Sequence, residues 1–212
     1  MNIKHHKRYE LALDFLELNS LIKPDTSILD CGGDTYFIEN FLKPKYPNIF
    51  VESTCSDLRY DLDIPSNQYD LVLCMEVIEH IKDQDSSTIP DVATFTGNGI
   101  HNLLKECARV LKKNGSLFLT TPNIHSYKVL HNWLYKGNEI FNFYLHPREL
   151  SYKYIEEIVK PLFSNYEYSF KNAWDTFGLP VEHINVYENI LKNNGFDTTN
   201  RKEDDLFFWC IK

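Results

Sequence analysis

The spacing of apolar positions changes repeatedly along the chain. Between Tyr9 and Ile22 the residues Leu11, Phe15, Leu18 and Ile22 recur at helical spacing, with Pro24 just beyond, which predicts a leading helix. Ser27 to Cys31 reads as a short buried strand that runs into Gly32-Gly33, and Phe37, Ile38, Phe41 and Leu42 then carry a helical stripe. Further strands are predicted from Asn48 to Ser53 and from Tyr69 to Met75, the second followed by a helix opening over Glu76 to Ile81. Residues 83–99 are polar and rich in turn formers, so a loop or lid is expected there.

Leu103, Leu104, Cys107, Val110 and Leu111 form a further helical stripe closed by Asn114-Gly115, and Ser116 to Thr120 reads as another buried strand. The last third predicts a helix from Pro147 to Val159 and another around Val186 to Lys192. Strand-like segments near Tyr166 to Phe170 and Leu206 to Ile211 suit a closing antiparallel hairpin. This alternation implies an α/β fold, a mostly parallel sheet with right-handed crossovers and helices on both faces. Ligands in such sheets bind beyond the carboxyl ends of the strands, so a site is expected near Gly32, Glu52 and Glu76. No internal repeat or low-complexity segment divides residues 1–212, which read as a single domain.

Charge narrows the partners. Lysine and arginine number 22 against 30 aspartates and glutamates, a net charge of −8, which disfavours the broad basic surface of a nucleic-acid binder and leaves room for a local basic pocket. The N-terminal residues hold no apolar run long enough for a signal peptide or membrane span, so a cytoplasmic protein is expected. The five cysteines are odd in number and lack C-x-x-C spacing, as expected of reduced, buried thiols. Oligomeric state is not written in the sequence.

Gly32 and Gly33 follow a strand directly, where missing side chains let backbone N–H groups approach an anionic ligand. Glu52 lies 20 residues after Gly32 near the end of the next strand, where an acidic side chain accepts hydrogen bonds from ribose hydroxyls; Asp57 is the rival for that role. The G-x-G-x-x-G fingerprint of nicotinamide enzymes is absent.

Taken together, Ile28-Leu-Asp-Cys-Gly-Gly-Asp34 resembles the first motif of the class I S-adenosylmethionine-dependent methyltransferases, and Tyr69-Asp-Leu-Val-Leu-Cys-Met-Glu-Val-Ile-Glu-His80 resembles their fourth. Ala108 to Gly115 and Leu119-Thr-Thr-Pro-Asn123 look like later motifs in the expected order, so the resemblance covers about residues 25–125. It implies a Rossmann-like fold and S-adenosylmethionine as cofactor, held by Asp30, Gly32, Gly33, Asp34, Cys74 and Met75, with Asp61 and Leu62 resembling the acidic and apolar pair that frames adenine. Asp34 and Tyr36 stand where the family carries further glycines, which bears on the shape of the methionine-binding turn.

At the reacting end, Glu76, Glu79 and His80 stand at i, i+3 and i+4, on one face if a helix begins promptly after the strand. The pattern resembles the divalent-metal ligands of the terminal 2′-O-methyltransferases of small RNAs and of ubiquinone-pathway O-methyltransferases. His146 would complete such a set for magnesium, manganese or zinc, with His125 and His131 as less favoured alternatives. Without metal, His80 or His146 serves as general base, beside Glu79 in the catalytic set. Arg148 pairs with a phosphate or carboxylate of the acceptor, or else with Glu149 or Glu156. The aromatics Trp133, Tyr135, Phe141, Phe143 and Tyr144 wall an acceptor pocket or belong to the core. The leading expectation is O-methylation of a small polar acceptor such as a sugar, a nucleotide-linked sugar or a glycan precursor. The alternatives are 2′-O-methylation of an RNA 3′ end, and a catalytically silent partner subunit.

Overall fold

The structure, a computed structural model, describes residues 6–33, 35–54, 56–83, 97–136, 149–173 and 179–212. Its first helix, α1 (His6–Leu18), buries Arg8, Tyr9, Ala12 and Leu16. It stops short of the predicted Ile22 because Ser20 takes a left-handed φ of +55°. Strand β1 (Ser27–Cys31) leads through the glycines into α2 (Thr35–Phe37), a π-helical turn (Ile38–Leu42) and α3 (Lys43–Lys45). Strands β2 (Phe50–Thr54) and β3 (Tyr69–Met75) follow. Next come α4 (Asn98–Val110), β4 (Leu111–Pro122), α5 (Tyr127–Lys136), α6 (Tyr152–Val159), β5 (Asn165–Lys171), α7 (Val181–Asn193) and β6 (Asp205–Ile211).

The six strands form one sheet in the order β2-β1-β3-β4-β6-β5. Strands β1 to β4 run parallel, whereas β6 pairs antiparallel to both β4 and β5, so the fold is the Rossmann-like arrangement expected, with antiparallel strands closing one edge. The chain steps from β1 to β2 on one side and returns to β3 on the other. This reversal opens a crevice at the carboxyl ends of β1 and β3.

Alternation along the strands divides the core between the two faces of the sheet. Leu29, Cys31, Val72, Cys74, Leu117 and Leu119 pack with Leu103, Leu104 and Cys107 of α4 and with Ile155 and Val159 of α6. Ile28, Leu71, Leu73, Met75, Phe118 and Phe207 pack with Tyr9, Ala12 and Leu16 of α1 and with Phe37 and Leu42. Phe118 and Phe207 meet edge to face at 5.5 Å, and Phe15 stacks on Phe118 at 5.2 Å, which pins α1 to the middle of the sheet.

Two local expectations are corrected. The helix predicted from Glu76 is only a 3-10 turn (Ile78–His80), because Glu76 adopts φ +53° and breaks the strand-to-helix passage. Asn114-Gly115 does not close α4, which already ends at Val110. Residues 112–115 instead bulge out of β4, where the register with β3 jumps from Tyr69↔Leu111 to Leu71↔Ser116. The last two strands pair antiparallel as expected and are joined through α7, which contains the helix predicted around Val186 to Lys192. The predicted lid over 83–99 is described only at its ends: the Asp83 carboxylate accepts from the N–H groups of Gly97 (2.9 Å) and Gly99 (3.0 Å) at the start of α4, where a negative charge suits the helix dipole. Cys31, Cys74, Cys107 and Cys210 are buried free thiols, as expected. Among the described residues no helix is long and apolar enough to cross a membrane.

Candidate active site

The crevice is built from two strained turns. After β1, Gly32 and Gly33 take φ of +113° and +74°, conformations that side chains resist. A Cβ on Gly32 would lie 2.4 Å from Val77 Cγ2, so the absent side chain lets the two turns close on each other. Thr54 at the end of β2 accepts from the Gly32 N–H at 3.3 Å. Asp30, 2% exposed, accepts from the Ser53 hydroxyl at 3.1 Å. Tyr36, standing where the related enzymes have glycine, turns into the core against Tyr9 (5.6 Å) and Phe41 (6.3 Å). Asp34 lies outside the described residues.

After β3, Glu76 is held at three points. Its N–H donates to the Thr120 carbonyl at 2.9 Å, its Oε1 accepts from the Thr120 hydroxyl at 2.8 Å, and its Oε2 lies 3.3 Å from Arg8. Burial works against the Arg8 charge, yet Glu76, Tyr9 and Asp205 hold the guanidinium protonated. Glu79 is buried, its Oε2 accepting from the Thr121 hydroxyl at 3.1 Å while Oε1 has no partner. Burial, reinforced by the Glu76 charge, pushes its carboxyl well above the usual range.

Two further acids join this group. Asp205, wholly buried at the start of β6 opposite Pro122, accepts from the Leu206 N–H at 3.0 Å and leaves Oδ2 without a partner. Burial and then Glu76 raise its carboxyl well above the ordinary range. Glu149 is pushed up to about 7, by burial foremost, against the pull of Lys128. The carboxyl end of the sheet thus gathers acids whose carboxyls are all raised, Glu79 and Asp205 foremost by burial and Glu149 to about 7. Sequence reasoning missed Arg8, Thr120, Thr121, Asp205 and Glu149. The one signal for them was Asp204-Asp205 set directly against the apolar run Leu206 to Ile211, an acidic pair with no place in an ordinary buried strand.

The remaining sequence-predicted residues divide. Glu76 and Glu79 come together, but not on a helical face, and His80 is exposed at the end of the 3-10 turn, its N–H donating to the Val77 carbonyl at 2.9 Å. Among the described residues no three His, Cys, Asp or Glu side chains converge as a metal set, and Glu76 is taken by Arg8 and Thr120. His146, Arg148 and Tyr144 lie outside the described residues, as do Phe141 and Phe143. Trp133 and Tyr135 are exposed rather than core. His131 bonds the Tyr187 hydroxyl at 2.9 Å and stacks on Tyr135.

Glu52 is not brought to the crevice: it stands mid-strand opposite Leu29, and the Tyr69 phenol donates to its carboxylate at 2.6 Å, because β2 runs on to Thr54. Asp57 lies beyond the end of β2, its carboxyl held below the ordinary range by the Arg59 side chain. Asp61 is exposed, and Leu62 is buried, its N–H donating to Glu106 Oε2 at 2.8 Å. Arg109, bonded to Glu106, also donates to the carbonyls of Leu62 (3.0 Å) and Ile64 (2.7 Å), which fixes this segment on α4. Cys74 and Met75 face opposite cores.

Comparison with known proteins agrees with this geometry. A family model described as Methyltransferase domain matches residues 3–199. A ubiquinone biosynthesis O-methyltransferase of Coxiella burnetii (strain Dugway 5J108-111) is 26% identical over an alignment covering 48% of this chain; the chain spans 40% of that protein's length. A SAM-dependent methyltransferase from Archaeoglobus fulgidus has the same fold at a TM-score of 0.56 and 18% identity, covering 99% of this chain and 97% of the other. Phosphoethanolamine N-methyltransferase 2 of Haemonchus contortus, solved with phosphomonomethylethanolamine and S-adenosylhomocysteine, superposes at a TM-score of 0.55 with 17% identity, covering 96% of this chain and 53% of that one. On the family match and a sheet whose crevice opens over a paired-glycine turn, this chain belongs to the class I S-adenosylmethionine-dependent methyltransferases.

Proposed function

We propose that this chain, acting as a single domain, methylates a hydroxyl of a small polar acceptor: a sugar, a nucleotide-linked sugar or a glycan precursor. The observation that carries the reading is the closure of the Gly32 turn onto Val77, which sets exposed glycine backbone beside the Glu76 turn at the switch point of the sheet. The Coxiella burnetii relative, an O-methyltransferase by name, supports oxygen as the acceptor atom.

The residues present fit S-adenosylmethionine: glycine backbone at Gly32 and Gly33 for its amino-acid end, Asp57 past β2 for its ribose, and the segment at Asp61-Leu62 for its adenine. When bound, that cofactor supplies an electrophilic methyl group on a sulfonium. Glu76, locked between Arg8 and Thr120, fixes the floor of the crevice, and Glu79 is buried beside it with its carboxyl raised. An acceptor hydroxyl methylated there would give up its proton to a base of this chain. His80, exposed at the mouth of the turn, takes that role, with His146 as its alternative and Arg148 and Tyr144 on the acceptor side.

Calorimetric titration with S-adenosylhomocysteine, followed by turnover of tritiated cofactor over a panel of sugars, nucleotide-linked sugars and RNA oligonucleotides, tests the reading. Saturable binding and label in a sugar fraction support it. Label in RNA moves the function to RNA-end methylation, and absence of nucleoside binding moves it to a silent partner subunit.

A further inference from the structure

A second cavity lies at the same edge of the sheet, beyond β4. It has a volume of about 260 Å³ and is walled by His125, Tyr152, Lys153, Tyr168, Phe170 and Arg201. Tyr152 and Tyr168 face each other at 5.0 Å and 30°, and Phe170 stands edge-on to Tyr152 at 6.0 Å, so one wall is an aromatic shelf. The opposite wall is cationic. Arg201 donates to the carbonyls of Asp197 (2.7 Å) and His125 (3.2 Å), bonds that aim the guanidinium, and the Asp197 carboxylate in the same lining offsets part of its charge. The Asp197 carboxylate on the same rim is turned to the Thr199 N–H (2.9 Å) and hydroxyl. His125 sits among Arg201, Lys153 and the ring of Tyr152, and burial together with the two cations lowers its pKa.

The cavity is tied to the crevice through Asn123. Its N–H donates to the Asp204 carbonyl at 3.0 Å, its Nδ2 to the carbonyls of Asn200 and Glu203 at 2.9 Å each, and its Oδ1 accepts from the His125 N–H at 3.0 Å. One residue after β4 therefore holds both the cationic wall and the strand start that carries Asp205.

We infer that this cavity is the anchor for the acceptor's carrier, and that the carrier is a nucleoside phosphate whose ring lies on the Tyr152–Tyr168 shelf and whose phosphate oxygens meet Arg201 and Lys153. The inference rests on the proposed O-methylation and narrows its acceptor to the nucleotide-linked class. A planar guanidinium and an ammonium facing an aromatic shelf suit a phosphate next to a flat ring, and in a chain of net charge −8 a cationic wall is not a general property of the surface.

The test uses the full chain saturated with S-adenosylhomocysteine, so that the cofactor crevice is closed to other nucleotides. Uridine diphosphate, adenosine diphosphate, uridine and inorganic phosphate are titrated while the His125 imidazole is followed by NMR. A nucleoside diphosphate is expected to bind at least about tenfold tighter than either uridine or phosphate and to raise the His125 pKa. Lys153→Gln, at an exposed position, and Arg201→Gln are each expected to weaken it by about tenfold or more with S-adenosylhomocysteine affinity unchanged. Nucleotide binding no tighter than phosphate, or an unmoved His125, overturns the inference. So does full nucleotide affinity in Lys153→Gln. Failure of S-adenosylhomocysteine itself to bind is a different result, and sinks the methyltransferase reading beneath it.

Discussion

Arg8 of the first helix and Glu76 of the turn after β3 form an ion pair at 3.3 Å with side chains only 5% and 12% exposed. The pair joins α1 to the crevice, and the Arg8 charge pulls down the raised carboxyls of both Asp205 and Glu79. Removing one partner strands a buried charge, which costs more than the pair itself contributes.

Arg8→Gln is therefore expected to destabilise the fold by about 3–5 kcal/mol, and Glu76→Gln in the same background to recover part of that loss. Urea denaturation of the two single variants and the double variant measures the coupling. Additive losses would mean that the pair is not coupled in solution.

Gly32→Ala meets two separate obstacles, a φ of +113° and Val77 Cγ2 at 2.4 Å. A loss of about 1–3 kcal/mol and a weakened S-adenosylhomocysteine affinity are expected. Val77→Ala added to it relieves the contact but not the backbone strain, so thermal stability should return in part while nucleoside affinity stays reduced. Full recovery of both would place the whole effect in the contact.

The acid group also gives stability a pH dependence. Because the folded-state pKa of Glu149 is raised to about 7 from 4.5, the folded chain holds a proton there that the unfolded chain releases first. This contribution is fully present below the unfolded pKa and is lost as pH rises from about 4.5 to about 7, by no more than about 3 kcal/mol and less where water reaches the group. Glu149→Gln should flatten that part of the stability profile, read from melting temperatures at a series of pH values. An unchanged slope would mean that Glu149 titrates as an ordinary surface carboxylate.

How much of this was legible in the sequence depended on whether local pattern or long-range contact decides the structure. The strands ending at Cys31 and Met75, the glycine turn and the switch point were readable, because buried strands leave continuous apolar runs. The face shared by Glu76, Glu79 and His80 was not, since the left-handed Glu76 is imposed by Thr120 and Arg8, residues far from it in sequence. Counting from Gly32 placed Glu52 at a strand end that in fact lies at Thr54. Arg8 lies one residue before the helix predicted from Tyr9, and its burial follows only from the docking of α1.

His80 and Glu79 separate catalysis from folding. Glu79 is 1% exposed and accepts from the Thr121 hydroxyl, so Glu79→Gln, which keeps that acceptor, should stay within about 1 kcal/mol of the parent, whereas Glu79→Ala leaves that hydroxyl unpaired beside a void and should cost about 2–4 kcal/mol. His80 is exposed, so His80→Ala should leave the melting temperature and the affinity for S-adenosylhomocysteine unchanged. If its imidazole takes the acceptor's proton, kcat falls by about 10²–10⁴ with KM little altered. Single-turnover rates at saturating cofactor, set beside melting curves of the same preparations, decide the matter. Undiminished turnover in His80→Ala would move the base to its alternative, His146, the next group to replace.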